Sequence, residues 1–176
     1  MKSSNSQQHP GFRIAILAVL VPLVCAGCAG YRLGTTLPPG VRSVYVPAFV
    51  NETEEPQVDT VATQATIREF QRDGTVELAD AGRADANLFV TVTGYKLTPL
   101  RYDRDRAKTT REYRLVLTAK LEFKRAETGE VLVSRKVQGD TDFELLGNLA
   151  SAKIDALPDA ADDLAHDIVE TIVEYW

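Results

Sequence analysis

The sequence predicts an α+β fold: two helices packed on one face of a mostly antiparallel four- to five-stranded sheet, in the order β-α-β-β-β-β-α. Three observations carry this. Glu112–Lys124 alternates, with Tyr113, Leu115, Leu117, Ala119, Leu121 and Phe123 on one side and Arg114, Thr118, Lys120 and Glu122 on the other. That period of two marks a strand with one face buried and one face wet or partner-facing. Near the C-terminus, Ala161, Leu164, Ala165, Ile168, Val169, Ile172, Val173 and Trp176 recur at helical spacing and form one apolar stripe. Two long strands joined by one loop, with no helix between them, are expected to be antiparallel neighbours.

The remaining elements follow in order. Ser43–Val50 alternates Val44, Val46 and Ala48 against Tyr45, Pro47 and Phe49, and reads as a first strand. Pro47 lacks a backbone donor, which places that strand at an edge or makes it end there. A helix is expected over Gln57–Arg72, with Val58, Val61, Ala62, Ala65 and Phe70 as its apolar stripe and Asp73-Gly74 as its stop. Thr75–Ala79 is a short strand before the turn at 80–85. Asn87–Leu97 puts Leu88, Val90 and Val92 on one face. Glu127-Thr-Gly-Glu130 is a hairpin turn leading into a strand over Val131–Gln138. Pro158 is expected at the start of the last helix, with Asp159, Asp162 and Asp163 in the first turns, where acids suit the helix dipole.

The first 27 residues belong to no fold. Lys2 and Arg13 are their only formal charges, and the apolar run Ile14–Val24 is too short for a spanning helix, which needs about 20 residues. Cys25-Ala-Gly-Cys28 follows it. A charged start, a short apolar core and small residues before a cysteine make an export signal of the lipoprotein kind. Residues 1–27 are thus expected to be removed, and Cys28 to carry lipid on its sulfur and its amine. The position that is usually Leu in such signals is Cys25. Ala29 stands where an Asp would favour inner-membrane retention, so the expected location is the outer membrane, facing the periplasm. Residues 28–40, rich in Gly, Pro and Thr, are expected to form a lipidated tether, and residues 41–176 one domain.

The mature chain keeps 18 Lys and Arg against 25 Asp and Glu, a net charge of −7. An acidic domain is a poor general nucleic-acid binder. With Cys25 removed and Cys28 acylated, no disulfide is available, and the fold must rest on its core. Catalysis and cofactor binding find little support. His166, on the terminal helix, is the one histidine left, and one histidine without a free cysteine cannot make a closed zinc site. No Gly-rich phosphate loop or Ser-centred elbow occurs. Asn51-Glu-Thr53 fits a glycosylation sequon by pattern alone.

Several segments resemble, in order, the lipopolysaccharide-assembly lipoproteins of the LptE-like family. They are Cys28-Ala-Gly-Tyr-Arg-Leu-Gly34, Val41-Arg-Ser-Val-Tyr-Val-Pro-Ala-Phe-Val-Asn-Glu-Thr53, Ala84-Asp-Ala-Asn-Leu88, Tyr102-Asp103, Glu112-Tyr-Arg-Leu115 and Thr128-Gly-Glu-Val-Leu132. Each is short; the ordered set behind an export signal is far more specific. The resemblance implies a non-enzymatic, outer-membrane-anchored two-helix sandwich. Such a protein sits in the lumen of a large β-barrel translocon and helps lipopolysaccharide reach the outer leaflet. The barrel and the lipopolysaccharide come from the resemblance alone.

The loop between the long strands is the most unusual segment. Residues 101–111 hold five basic and two acidic side chains, a local +3 in an acidic domain. Arg forks bind phosphate and carboxylate with paired hydrogen bonds. Arg101, Tyr102, Arg104, Arg106, Lys108 and Arg111 are therefore the expected contacts to lipopolysaccharide or to acidic groups of the barrel. The plain alternative is a solvated loop neutralised in part by Asp103 and Asp105. Two rival functions remain at this level: a general envelope lipoprotein that binds peptidoglycan or another assembly complex, and a periplasmic hydrolase.

Overall fold

The chain divides into two units, residues 1–34 and 35–176. The computed structural model describes residues 37–102 and 110–174, with backbone alone at 101, 102, 110 and 111. The expected signal and lipid site at Cys28, and Trp176 of the terminal stripe, lie outside the described residues. The described part is α+β, as the periodicities predict. Its elements are β1 (Ser43–Tyr45), β2 (Val50–Asn51), α1 (Val58–Asp73), β3 (Glu77–Leu78), β4 (Ala86–Tyr102), β5 (Thr110–Arg125), β6 (Val131–Glu144) and α2 (Leu149–Val173).

The strands form one sheet in the order β3-β1-β4-β5-β6, with β2 pairing β4 beside that path. The long strands β4, β5 and β6 are antiparallel neighbours, as expected. The first part of the chain departs from the expectation. The single strand foreseen over 43–50 is two short ones, because the chain leaves the ladder around Pro47, which has no N–H to give. Phe49 is buried in the gap, and its N–H donates to the Thr63 hydroxyl at 3.0 Å. β1 and β2 also run parallel to β4, and β1 parallel to β3, so the sheet is mixed and has six strands. Parallel neighbours need a long crossover, and α1 supplies it between β1 and β3.

Asp85 fixes the β1–β4 seam. Its Oδ2 accepts from the N–H groups of Arg42 (2.9 Å) and Ser43 (3.0 Å) and from the Ser43 hydroxyl (3.0 Å), which in turn accepts from the Asp85 N–H. These donors, the Arg42 N–H first, hold the Asp85 carboxyl below its ordinary value. Asn51-Glu-Thr53 is a turn of the same kind. Asn51 Oδ1 accepts from the Thr53 N–H and hydroxyl, and Asn51 Nδ2 donates to the Glu55 carbonyl at 2.8 Å. Leu37, just before β1, already packs against the core, and Pro38 is buried.

The core lies between the sheet and the two helices. Leu88, Val90 and Val92 of β4, and Leu115, Leu117, Ala119, Leu121 and Phe123 of β5, are buried as their alternation predicts. α1 buries Val58, Ala62, Ala65 and Phe70 and stops where expected, with Gly74 in the left-handed region (φ 70°) and its N–H on the Phe70 carbonyl. Val61 is only partly buried, and Thr66 is buried instead, its hydroxyl returned to the Ala62 carbonyl at 2.9 Å.

α2 begins nine residues before Pro158, not at it. Asn148 caps it by accepting from the Ser151 N–H at 2.9 Å, and Pro158 sits inside the helix. A proline there removes one backbone hydrogen bond and costs about 3 kcal/mol. The buried Ala156, Leu157, Ala160 and Ala161 on either side of it hold the helix against the sheet. Gly139 of β6 sets how close the two layers come. A Cβ on it would lie 2.1 Å from the Leu164 nitrogen and 2.7 Å from the Ala160 carbonyl oxygen. Beside this contact, Asp163 and Asp167 of α2 accept from the N–H groups of Asp140 (2.8 Å) and Gln138 (3.0 Å), closing part of the β6 edge. That is one way a fold blunts a free strand edge.

Candidate functional site

The structure brings the two flanks of the basic segment together at the far end of the β4–β5 ladder. Arg101 and Tyr102 end β4, Thr110 and Arg111 begin β5, and the ladder continues to the pairing of Tyr102 with Thr110. Arg104, Arg106 and Lys108 lie outside the described residues, as does Cys28. The hairpin is long: 17 residues of β4 at about 3.3 Å each reach roughly 55 Å. The chain comes into the sheet at the opposite end of the hairpin, where Arg42 meets Asp85 and the Arg125 guanidinium donates to the Pro39 carbonyl. Entry point and basic tip therefore sit at opposite ends of the sheet.

Between them lies the sheet face turned away from the helices. Among the described residues no element covers it. It carries Phe89 and Thr91 from β4, Arg114, Thr118, Lys120, Glu122 and Lys124 from β5, and Lys136, Gln138, Asp140 and Asp142 from β6. Charges on this face follow an order. Towards the hairpin tip, Arg114 forks onto Asp142 (Nε–Oδ1 2.6 Å, Nη2–Oδ2 2.7 Å) and lies 3.4 Å from Asp140. The fork raises the Arg114 value and holds the Asp142 carboxyl low. In the middle, Gln138 Nε2 donates to the Thr118 hydroxyl at 3.1 Å. Towards the entry end, Lys120 and Lys136 stand directly opposite each other, a like-charge pair that costs stability unless something neutralises it. Neither makes an ion pair among the described residues. Beside them Lys124 binds Glu122 at 2.6 Å and lies over the Phe89 ring, 5.5 Å from its centre. A shallow, open depression of about 470 Å³ is lined by Phe89, Thr91, Lys120, Ser134 and Lys136, among others.

The sequence pointed to Arg114, Lys120 and Glu122 as a possible partner face but missed Lys136 as part of it. Alternation along 131–138 assigns Lys136 to the wet face, but only the cross-strand register puts it opposite Lys120. On the helix side, His166 Nδ1 lies 3.2 Å from a Glu69 carboxylate oxygen, and Arg72 also binds Glu69. Burial would raise the Glu69 carboxyl, but the hydrogen bonds from Arg72 and His166 outweigh it and hold it below its ordinary value. The Glu69 hydrogen bond raises His166 in turn. His166 is a largely exposed residue that ties α2 to α1 through Glu69. Lys153 of α2 binds Glu55 and lies over the Tyr95 ring, and burial there pushes the Tyr95 phenol up to about 12.

A family model described as LptE, lipopolysaccharide-assembly, matches residues 41–173, nearly all of the described domain. No curated protein matches by sequence. Solved structures share the fold at low identity. A lipoprotein from Caulobacter crescentus superposes with a TM-score of 0.53 at 11% identity, over 75% of this chain and 89% of that one. Protein XCC0632 from Xanthomonas campestris gives 0.54 at 13% identity, over 80% and 91%. Protein CT253 from Chlamydia trachomatis gives 0.55 at 8% identity, over 76% and 96%.

Proposed function

This chain belongs to the LptE lipopolysaccharide-assembly family, and from that premise we propose that it is an outer-membrane lipoprotein that plugs and stabilises a β-barrel translocon while lipopolysaccharide crosses it. The observation that carries the reading is the family match across nearly all of the folded domain, residues 41–173. The geometry is consistent with it. Anchored through lipid on Cys28, the chain would be held at the entry end of its sheet. Two or more acyl chains make such attachment stable. The hairpin then projects roughly 55 Å from that end, more than the roughly 30 Å thickness of a bilayer's hydrocarbon core. A sheet of this length can run through a barrel lumen and carry Arg101, Tyr102, Arg104, Arg106, Lys108 and Arg111 to the path of an anionic glycolipid. The sheet face with its exposed lysines and its Arg114–Asp142 fork would meet the polar inner wall of the barrel.

The role is structural. The chain fills space, supplies positive charge at one end and undergoes no bond-making step. The test is a pull-down of the tagged, full-length protein from native membranes in mild detergent, with mass spectrometry of what accompanies it. A stoichiometric large outer-membrane barrel is the expected companion. Recovery without a barrel, or with wall fragments in its place, overturns the plug.

A further inference from the structure

We infer that the uncovered sheet face is also a self-association surface, pairing two copies of this chain face to face about a two-fold axis through Thr118 and Gln138. The order of charges along the strands carries this inference independently of the function proposed above. Thr118 and Gln138 stand opposite each other at the middle of the face and are bonded side chain to side chain. Counting outwards from them along β6, Lys136 lies two residues to one side and Asp140 two residues to the other. Along β5, Glu122 and Arg114 lie four residues to either side of Thr118. These two matched pairs are opposite in sign, while Lys120 is matched by Val116 and Asp142 by Ser134; the face is therefore two-ended, with Lys120, Lys124 and Lys136 against Glu122 on the entry side and Asp140 and Asp142 against Arg114 on the tip side.

A two-ended face of this kind is self-complementary, as an isologous interface needs. A two-fold axis in the plane between the sheets and across the strands reverses strand direction while keeping β6 over β6 and β5 over β5. Lys136 of one copy then faces Asp140 of the other, and Glu122 faces Arg114, each contact made twice. The Lys120–Lys136 repulsion within one copy is relieved by Asp140 from the other. A parallel arrangement would stack like on like, so the pattern selects one orientation. Packed sheets of this kind lie about 10 Å apart with strand directions within about 30°. Three strands at about 4.8 Å spacing over some 40 Å of length give a footprint of roughly 600 Å² per copy. A standard interface has about 800 Å² per partner, so the pair is weak and reversible.

The experiment is sedimentation velocity of the full-length chain in a non-ionic detergent, over a concentration series at low and high salt. The wild type is expected to dimerise with a Kd of roughly 10–100 µM at low salt. The Kd should rise at least about tenfold when salt screens the contacts. Lys136→Asp and Asp140→Lys each set like charges face to face and are expected to be monomeric. An equimolar mixture of the two variants is expected to form the heterodimer, because both reciprocal contacts then join opposite charges. Glu122→Arg with Arg114→Glu supplies an independent reciprocal pair should either first variant lose its fold by circular dichroism. A wild type that stays monomeric at low salt, single variants that dimerise like the wild type, or a mixture that fails to pair each overturns the inference. All variants share one N-terminal segment, so association through lipid or signal would leave them indistinguishable and would also overturn it.

Discussion

At the scale of single residues, the short motifs of this chain are hydrogen-bonding devices. Asp85, in Ala84-Asp-Ala-Asn-Leu88, receives three donors from Arg42 and Ser43 and locks β1 to the start of β4. Asp85→Ala removes the acceptor and leaves those donors without it, a cost of about 1–3 kcal/mol. The effect depends on pH. The folded-state value of Asp85 is lowered, so its contribution is present in full above the ordinary carboxylate value, about 3.9, and is lost as pH falls through the lowered one. Denaturant melts at neutral pH should separate wild type from Asp85→Ala by that margin, and the gap should narrow on acidification. A gap that widens in acid would refute the assignment. Asn51 and Thr53 act in the same way: with the Asn51 amide engaged by the Glu55 carbonyl, the sequon is a turn motif.

At the scale of elements, the contact that governs the sandwich is α2 on β6. Gly139 is there because the helix backbone occupies the volume a methyl group would need, with Leu164 and Ala160 too near for any side chain. Gly139→Ala should push α2 outwards, open the Asp163 and Asp167 caps on the β6 edge and cost at least about 1–3 kcal/mol, the usual range for overpacking. Thermal unfolding of the variant reads this directly, and an unchanged melting temperature would disprove the close approach. β4 handles its own exposure with other devices. Register shifts at Val92/Gly94 and around Pro99 break its ladder, and Pro99 has no donor to offer a further strand.

At the scale of the whole molecule, the proposed function depends on the separation of two ends. The hairpin sets the basic tip roughly 55 Å from where the chain comes into the sheet. Replacing Arg101, Arg104, Arg106, Lys108 and Arg111 together with Gln should weaken lipopolysaccharide binding at least about tenfold, since one lost charge-assisted hydrogen bond is worth about 1.5–3 kcal/mol. Stability should shift by less than about 1 kcal/mol, because surface changes away from packed features are individually small. Binding measured with purified lipopolysaccharide in micelles, beside a thermal melt, separates the two effects; unaltered binding would remove the loop from the proposed path.

The elements whose signal is local were legible in the sequence. The faces of β4 and β5, the stripe of α2 beyond Pro158 and the Asp73-Gly74 stop of α1 follow from backbone periods of 2 and 3.6 and from one residue tolerant of positive φ. The unusual charge of 101–111 was legible for the same reason, since it is a matter of composition. Other features needed the tertiary structure. The early strand splits at Pro47, and its pieces lie parallel to β4, because pairing joins residues dozens of positions apart. α2 extends back through Pro158 because its early turns are held by Asn148 and by burial of Ala156 and Leu157, neither of which Pro158 itself reveals. The two-ended order of charge on the open face exists only once register sets Lys120 against Lys136 and Arg114 against Asp142. What each short segment becomes is readable from the chain alone, because local geometry is written in local periodicity. Only the fold decided which segments meet, because register and layer packing are long-range contacts that no single window of sequence contains.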